Sequence, residues 1–238
     1  MTRVLPSLVT AMLILIAAAL PASAGGIHTD VPAQINPAAR YLIYIHGVRP
    51  ENFPLSEPHP TRGLFEYQNI LNAFAATGFE VISELRTEKT NPRRFARTRI
   101  LAQVKSLIAA GVPPQNITVA GFSKGGTIAM VVASQARQPK LNIVNMAGCG
   151  KGQFRKAYAN FLANDASKLS GRMLSIYDQA DKIAGTCQEL SDKAPRMTFQ
   201  EEVLTVGRGQ GTFFAPRAVW VDRVVAWAKG EDRPVTPG

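Results

Sequence analysis

One motif, Gly121-Phe122-Ser123-Lys124-Gly125, combines residue types that could do chemistry: a serine between two glycines, after an apolar run and before a helical pattern. In this context G-x-S-x-G is typical of a tight strand-to-helix turn that exposes the serine hydroxyl. The first N–H groups of the helix, beginning at Lys124, would then face any oxyanion that forms. The motif predicts Ser123 as a nucleophile for acyl transfer, and we expect the Lys124 side chain to be solvated.

A serine nucleophile needs a general base, yet the three histidines of the chain, His28, His46 and His59, all precede Ser123. His46 ends an apolar run, so we expect it to pack in the core. His59 lies in a proline-rich loop that should hang over the same end of the sheet as Ser123, which makes it the candidate for a relocated base. That loop should approach from the oxyanion side, however, whereas a base must approach from the opposite flank.

Composition indicates one ordinary globular domain with a basic surface. The 238 residues are 46% hydrophobic and 18% charged, and the formal net charge is +10. Arg93, Arg94 and Arg97 recur at helical spacing, which predicts a solvated helix face or a contact with anionic envelope material. We expect no nucleic-acid partner, because no recognition module is present. We also expect no metal and no cofactor, because metal-ligand spacing and a dinucleotide fingerprint are both missing from the sequence.

The first 24 residues differ from the rest of the chain. Arg3 is followed by twelve apolar or small residues over 9–20, then by Pro21 and Ala22-Ser23-Ala24. This order is typical of a secretory signal peptide, and a run of twelve is too short to span a bilayer. We predict cleavage after Ala24, a domain over 25–230, a short polar tail over 231–238, no transmembrane segment after cleavage, and a periplasmic or secreted protein.

Elements are predicted from the alternation of apolar runs with helical patterns. Strands are predicted over Tyr41–His46, Phe79–Leu85, Ile117–Ala120, Leu141–Met146, Arg172–Tyr177 and Phe199–Val206. Helices are predicted over Glu66–Thr77, from Asn91 (cap) and Pro92 to Ala110, from the glycine turn to Ala136, and from Pro216 to Gly230. This pattern indicates an α/β fold, with a mostly parallel sheet and helices on both faces. Chemistry is then expected in the loops after the strands.

The residues resemble those of the α/β-hydrolase superfamily, in particular its small exported esterase-like members, from about Tyr41 to Ala228. By this resemblance, the loop after His46-Gly47 would donate the second oxyanion N–H from Val48, beside that of Lys124. The run 174–183 resembles the strand and loop that carry the catalytic acid. The resemblance implies Asp181 in that role, with Asp178 as the alternative.

The last segment departs from the superfamily pattern. Residues 207–211 read Gly-Arg-Gly-Gln-Gly and precede the final helix, where the resemblance implies a Gly-His-Gly that carries the catalytic histidine. Gln210 stands at that position. An amide both donates and accepts hydrogen bonds, but it does not take a proton from serine near neutral pH.

Two cysteines, Cys149 and Cys187, each follow a strand-like run, so both could lie at one end of the sheet. Export to an oxidising compartment favours a disulfide between them, with two buried thiols as the alternative.

Two functions follow from these observations. The first is an exported serine hydrolase of the esterase or acyl hydrolase type that acts on a small ester or acyl ligand, impaired by Gln210. The second is a catalytically silent relative that keeps the site to bind a ligand or a partner.

Overall fold

The computed structural model describes residues 24–231. The predicted signal peptide, apart from Ala24, and residues 232–238 of the predicted tail lie outside this range. Within 24–231, no helix is long and apolar enough to cross a membrane.

Among the described residues, seven parallel strands form one sheet in the order β1-β3-β2-β4-β5-β6-β7. The strands are β1 Ile27–His28, β2 Arg40–Ile45, β3 Phe79–Ile82, β4 Ile117–Phe122, β5 Asn142–Met146, β6 Gly171–Asp178 and β7 Met197–Leu204. All six predicted strands are present, with ends that differ by up to three residues. The two-residue β1, which the sequence analysis did not predict, pairs with β3 through Ile27 and Val81.

In the part of the chain that the structure describes, eight α-helices connect and cover the strands. They are α1 Arg49–Asn52, α2 Tyr67–Ala75, α3 Pro92–Phe95, α4 Leu101–Ala109, α5 Lys124–Ala136, α6 Arg155–Asn164, α7 Gln188–Lys193 and α8 Ala218–Lys229. The helix predicted from Pro92 to Ala110 is divided by a π-helical turn over Ala96–Ile100. The Asn91 side chain caps its start by accepting from the N–H of Arg94, as predicted.

Both faces of the sheet are buried at its centre, which explains why β2, β3 and β4 are mainly apolar. The edge strand β7 is mostly half-buried and contains Gln200, Glu201 and Glu202. On one face, Tyr41, Ile43 and Ile45 of β2 pack in a cluster that includes residues of α4, α5 and α6. On the other face, Leu42 and Tyr44 pack in a cluster that includes residues of α2 and α8.

The strand order reverses beside β2. The chain passes from β2 to β3 on one side and then to β4 on the other side of β2. In open parallel sheets, ligands bind beyond the carboxyl ends of the strands at such a reversal. The loop after β2 and the turn after β4 meet at this point, and they carry Val48 and Ser123.

Candidate functional site

Ser123 occupies a strained turn between β4 and α5. Its backbone has φ 53° and ψ −113°, a conformation that costs a non-glycine residue about 1–3 kcal/mol. A Cβ at Gly121 would lie 2.1 Å from the Gly125 carbonyl oxygen, and a Cβ at Gly125 would lie 2.0 Å from the Ile45 carbonyl oxygen. The glycines are therefore required by the close approach of strand and helix. No side chain of residues 24–231 hydrogen-bonds to the Ser123 hydroxyl.

Two backbone segments face the cavity beside Ser123. Val48 and Lys124 both line this cavity, Val48 at the start of α1 and Lys124 as the first residue of α5. The first N–H groups of a helix have no partner within it, so the N–H of Lys124 is available to a ligand. The N–H of Val48 makes no hydrogen bond to any residue that the structure describes.

A buried ion-pair network joins these two segments. The Glu51 carboxylate accepts from Arg86 Nε at 2.8 Å and from Lys124 Nζ at 2.5 Å. Arg86 also donates to the carbonyl oxygens of His46 and Gly47, at 2.5 and 3.0 Å. The expectation that Lys124 is solvated was wrong, because its side chain is only 19% exposed and is paired with Glu51. Local patterns gave no sign of this network, since Glu51 and Arg86 are 35 residues apart.

His46 is a neutral, structural histidine, as expected. Its ring is buried, and burial together with the neighbouring Arg86 cation lowers the His46 pKa to about 3. The backbone N–H of Arg86 donates to Nε2 at 2.9 Å, so the ring proton is on Nδ1, which donates to the Gly47 carbonyl oxygen at 2.7 Å. His46 therefore fixes the loop after β2 and takes no part as a base.

Asp181 and Gln210 lie side by side in the structure. The Gln210 amide Nε2 donates to Asp181 Oδ2 at 2.7 Å, and it lies 3.5 Å from the Ala147 carbonyl oxygen. Asp181 Oδ1 accepts from the N–H groups of Ile183 and Ala184, at 2.9 and 3.1 Å. Both side chains are buried, and Gln210 lines the same cavity as Ser123.

Asp178, the alternative acid, organises the surrounding loops. It accepts from Thr212 Oγ1 at 2.6 Å and from the N–H groups of Ala180, Gly207 and Arg208. Burial alone would raise the pKa of Asp178, but these hydrogen bonds outweigh it and hold the pKa below its usual value. Asp178 thus links the end of β6 to the segment that carries Gln210.

The cavity over Ser123 has a volume of about 330 Å³, within the range of small-molecule sites. One wall comes from α6 through Ala157, Tyr158 and Phe161. This helix is not among those predicted from the sequence.

The fold has many counterparts among solved structures, although no protein-family model and no curated protein matches the sequence. A lipase-esterase related protein from Clostridium acetobutylicum matches with a TM-score of 0.54 at 9% identity, over 81% of this chain and 96% of that one. A sugar hydrolase from Lactococcus lactis matches with a TM-score of 0.50 at 13% identity, over 85% and 92%. A puromycin-hydrolyzing peptidase from Mycobacterium tuberculosis matches with a TM-score of 0.52 at 15% identity, over 83% of this chain but only 35% of the peptidase.

This chain has the α/β-hydrolase fold. The predicted fold class is thereby confirmed. At such low sequence identity, structural similarity shows a shared fold but does not identify the activity or the substrate.

His59 lies outside the cavity of this α/β-hydrolase fold. Its Nδ1 accepts from the N–H of Thr61 at 3.2 Å, and its ring packs edge-on against Phe214 with 6.0 Å between ring centroids. It is not among the described residues that line the cavity. Its loop was expected to stay on the oxyanion side, but through Phe214 and Gly211 it also reaches the segment that carries Gln210.

Cys149 and Cys187 form the predicted disulfide, with 5.5 Å between their Cα atoms. The bond joins the loop after β5 to the loop after β6, which also contains Asp181. These loops are further paired by hydrogen bonds from Lys151 N–H to Ile183 O and from Gly185 N–H to Cys149 O, both at 2.9 Å. The disulfide therefore holds the loop after β5, which lines the cavity through Gly148 and Gly150, against the loop that contains Asp181.

Proposed function

We propose that this protein is an exported serine-hydrolase-like protein that binds a small acyl or ester ligand over Ser123, and that Gln210 impairs its hydrolytic turnover. In this proposal Ser123 is the nucleophile, Asp181 is the acid, and the N–H groups of Val48 and Lys124 are the oxyanion donors. Gln210 occupies the place of the catalytic histidine. The 2.7 Å hydrogen bond from Gln210 Nε2 to Asp181 carries the proposal.

The hydrogen-bond pattern of Gln210 supports this assignment. A carboxylate accepts only, so the group beside Asp181 is the amide nitrogen, which leaves the amide oxygen to interact with the ligand or with Ser123. A neutral histidine would likewise donate to the acid and accept from the serine. The amide reproduces the hydrogen bond to the acid, but it makes none to Ser123 and does not accept a proton near neutral pH.

The chemical cost of this exchange is large. Removal of the histidine from a serine protease costs about as much as removal of the whole triad, on the order of a million-fold in rate. A residual acceleration of about 10³–10⁴ over water comes from oxyanion donors and binding. Any turnover of this protein would then rest on the N–H groups beside Ser123 and on the apolar cavity.

Export and the basic surface belong to the same proposal. The disulfide between Cys149 and Cys187 supports an oxidising compartment such as the periplasm or the extracellular space. Arg94 and Arg97 are exposed on the first turns of the helical segment after Pro92, where they are available to anionic envelope material. Arg93 is also exposed, but it is paired with Asp165 at 2.7 Å.

The second candidate, a silent ligand-binding protein, is favoured by the same replacement of a base by an amide. Labelling with a fluorophosphonate discriminates the two. An impaired hydrolase reacts slowly, loses the reaction in Ser123→Ala, and reacts faster in Gln210→His. A silent binder is labelled in none of the three proteins although it binds an ester. Equally fast labelling of the wild type and Gln210→His would contradict the proposed impairment, because the base would have to come from elsewhere.

A further inference from the structure

The charged side chains that line the cavity are all cations. They are Arg49, Arg62 and Lys124, and no carboxylate of the described residues joins them in the lining. The remainder of the wall is mainly apolar and includes Phe122, Phe154, Tyr158, Phe161 and Met130. A cavity with an apolar wall and only positive charges favours a ligand that is apolar along most of its length and negative at one point.

Two of the three cations already have carboxylate partners. Lys124 is paired with Glu51 at 2.5 Å, and Arg49 is paired with Glu57 at 3.2 Å. Arg62 forms no ion pair with an acidic side chain of residues 24–231. Asp181 attracts it electrostatically, but the oxygens of Asp181 are occupied by Gln210 and by backbone N–H groups.

Arg62 is held in position by its surroundings. Its guanidinium lies over the Phe214 ring, 5.9 Å from the ring centroid. A tight turn fixes its backbone, because the N–H groups of Arg62 and Gly63 both donate to the His59 carbonyl oxygen, at 3.3 and 3.1 Å. Burial lowers the pKa of Arg62, but an arginine keeps its charge at neutral pH. Partial burial of a cation without a carboxylate partner has an unfavourable desolvation free energy. An anionic group on the ligand would offset it by forming charge-assisted hydrogen bonds with the guanidinium.

We propose that the ligand is an acyl ester that bears a free carboxylate, which pairs with Arg62 while the chain lies against the aromatic wall. This inference rests on the proposed function and names its substrate class. The half-esters of dicarboxylic acids are the simplest molecules of this type, since they combine an ester for Ser123 with one carboxylate.

The test compares ligands that differ by one charge. Isothermal titration calorimetry measures the binding of monomethyl suberate and dimethyl suberate, and of the corresponding adipates, to the wild type, Arg62→Gln and Arg196→Gln. Arg196 lines a different surface depression, so its variant loses the same charge without changing the cavity. A charge-assisted hydrogen bond predicts that the wild type binds at least one half-ester about tenfold or more tightly than its diester. Arg62→Gln should lose this preference, and Arg196→Gln should keep it.

The outcomes separate this inference from the proposed function. Equal affinity of the wild type for half-ester and diester overturns the inference alone, because the cavity still binds esters. An equal loss of both ligands in Arg62→Gln also overturns it, since Arg62 would then act by packing. If the wild type binds neither half-ester nor diester, the proposed function fails as well. Diester binding by Arg62→Gln at wild-type affinity shows that this variant is folded.

Discussion

The two flanks of Ser123 contain very different chemistry. The oxyanion flank, which we define as Gly47–Glu51 and Lys124, is fixed by two buried ion pairs and by the neutral His46. The acid flank, which we define as Asp178, Asp181 and Gln210, keeps both carboxylates in dense hydrogen-bond networks. In our proposal it presents the Gln210 amide at the place where proton transfer requires a base. In our proposal the protein thus keeps the features that bind and polarise an acyl group and lacks the one that moves the proton.

Restoring the base is the most direct way to test this comparison. We expect Gln210→His to raise the turnover of a small activated ester by about 10²–10⁴, the usual contribution of general acid–base catalysis. The rate should be measured on p-nitrophenyl acetate near pH 8, which is above the ordinary pKa of histidine of about 6.5. Gln210→Ala is the matched control, because it removes the amide without adding a base.

An unchanged rate in a folded Gln210→His protein would contradict the assignment of Gln210 to the position of the catalytic histidine. The double variant Gln210→His, Ser123→Ala should return to the background rate. A high rate in that double variant would mean that the new imidazole acts on water directly, without the serine.

The stability of the protein should depend more on the ion pairs of the oxyanion flank than on surface ion pairs nearby. Glu51→Ala leaves Arg86 as an unpaired cation with a side chain only 1% exposed. Loss of one partner of a buried ion pair costs about 3–5 kcal/mol, so we expect a fall of that size in the free energy of unfolding from urea titration. Glu57→Ala is the matched control in the same loop, because Glu57 is 50% exposed and its pair with Arg49 is worth less than about 1 kcal/mol. Similar losses in the two variants would contradict the structural role of the network.

The assignment of Val48 as an oxyanion donor is tested by removal of its N–H. Val48 has φ −75°, which proline accepts, so Val48→Pro deletes the donor with little backbone strain. In the Gln210→His background we expect this change to lower kcat by about 10²–10³, the usual cost of one oxyanion donor. Val48→Ala keeps the N–H and should keep the rate. Equal rates in Val48→Pro and Val48→Ala would remove Val48 from the proposed site.

Much of this fold could be predicted from the sequence because the signals are local. The buried strands are short apolar runs, and the turn at Ser123 is marked by its glycines. The pairing of Cys149 with Cys187 followed from two strands that end at the same edge of the sheet. The strands and the turn needed only the residues of one element, and the disulfide needed in addition the general geometry of a parallel sheet and the predicted export.

The parts that the sequence did not reveal depend on contacts between distant segments. The network of Glu51, Arg86 and Lys124 joins α1, the loop after β3 and the start of α5, and no spacing rule connects them. Helix α6 buries only Tyr158, Phe161 and Leu162, so its apolar stripe is too sparse to stand out. The chain order did not distinguish the environments of Asp178 and Asp181, which became clear only once their hydrogen-bond partners were known.

The smallest expected effect on stability is that of Asp178, which contrasts with Asp181 in its effect on turnover. Asp178→Asn weakens a carboxylate that accepts hydrogen bonds from Thr212 and three backbone N–H groups, and we expect it to cost about 1.5 kcal/mol of stability near neutral pH. Because Asp178 serves structure in our proposal, the turnover gained by Gln210→His should survive this change. Asp181→Asn should abolish that gain, because Asp181 orients the introduced imidazole.

The pH dependence of stability gives an independent check on Asp178. Its pKa is lower in the folded protein than in the unfolded chain, where it is about 3.9. The unfolded chain therefore binds the proton first as the pH falls, so the stabilisation by Asp178 is present above about pH 4 and is lost as the pH falls through the folded pKa. Urea midpoints at about pH 6 and pH 3 should show that the difference between the wild type and Asp178→Asn shrinks in acid. A difference that stays constant over this range would mean that packing around the side chain, and not its charge, holds the end of β6 to the Gln210 segment.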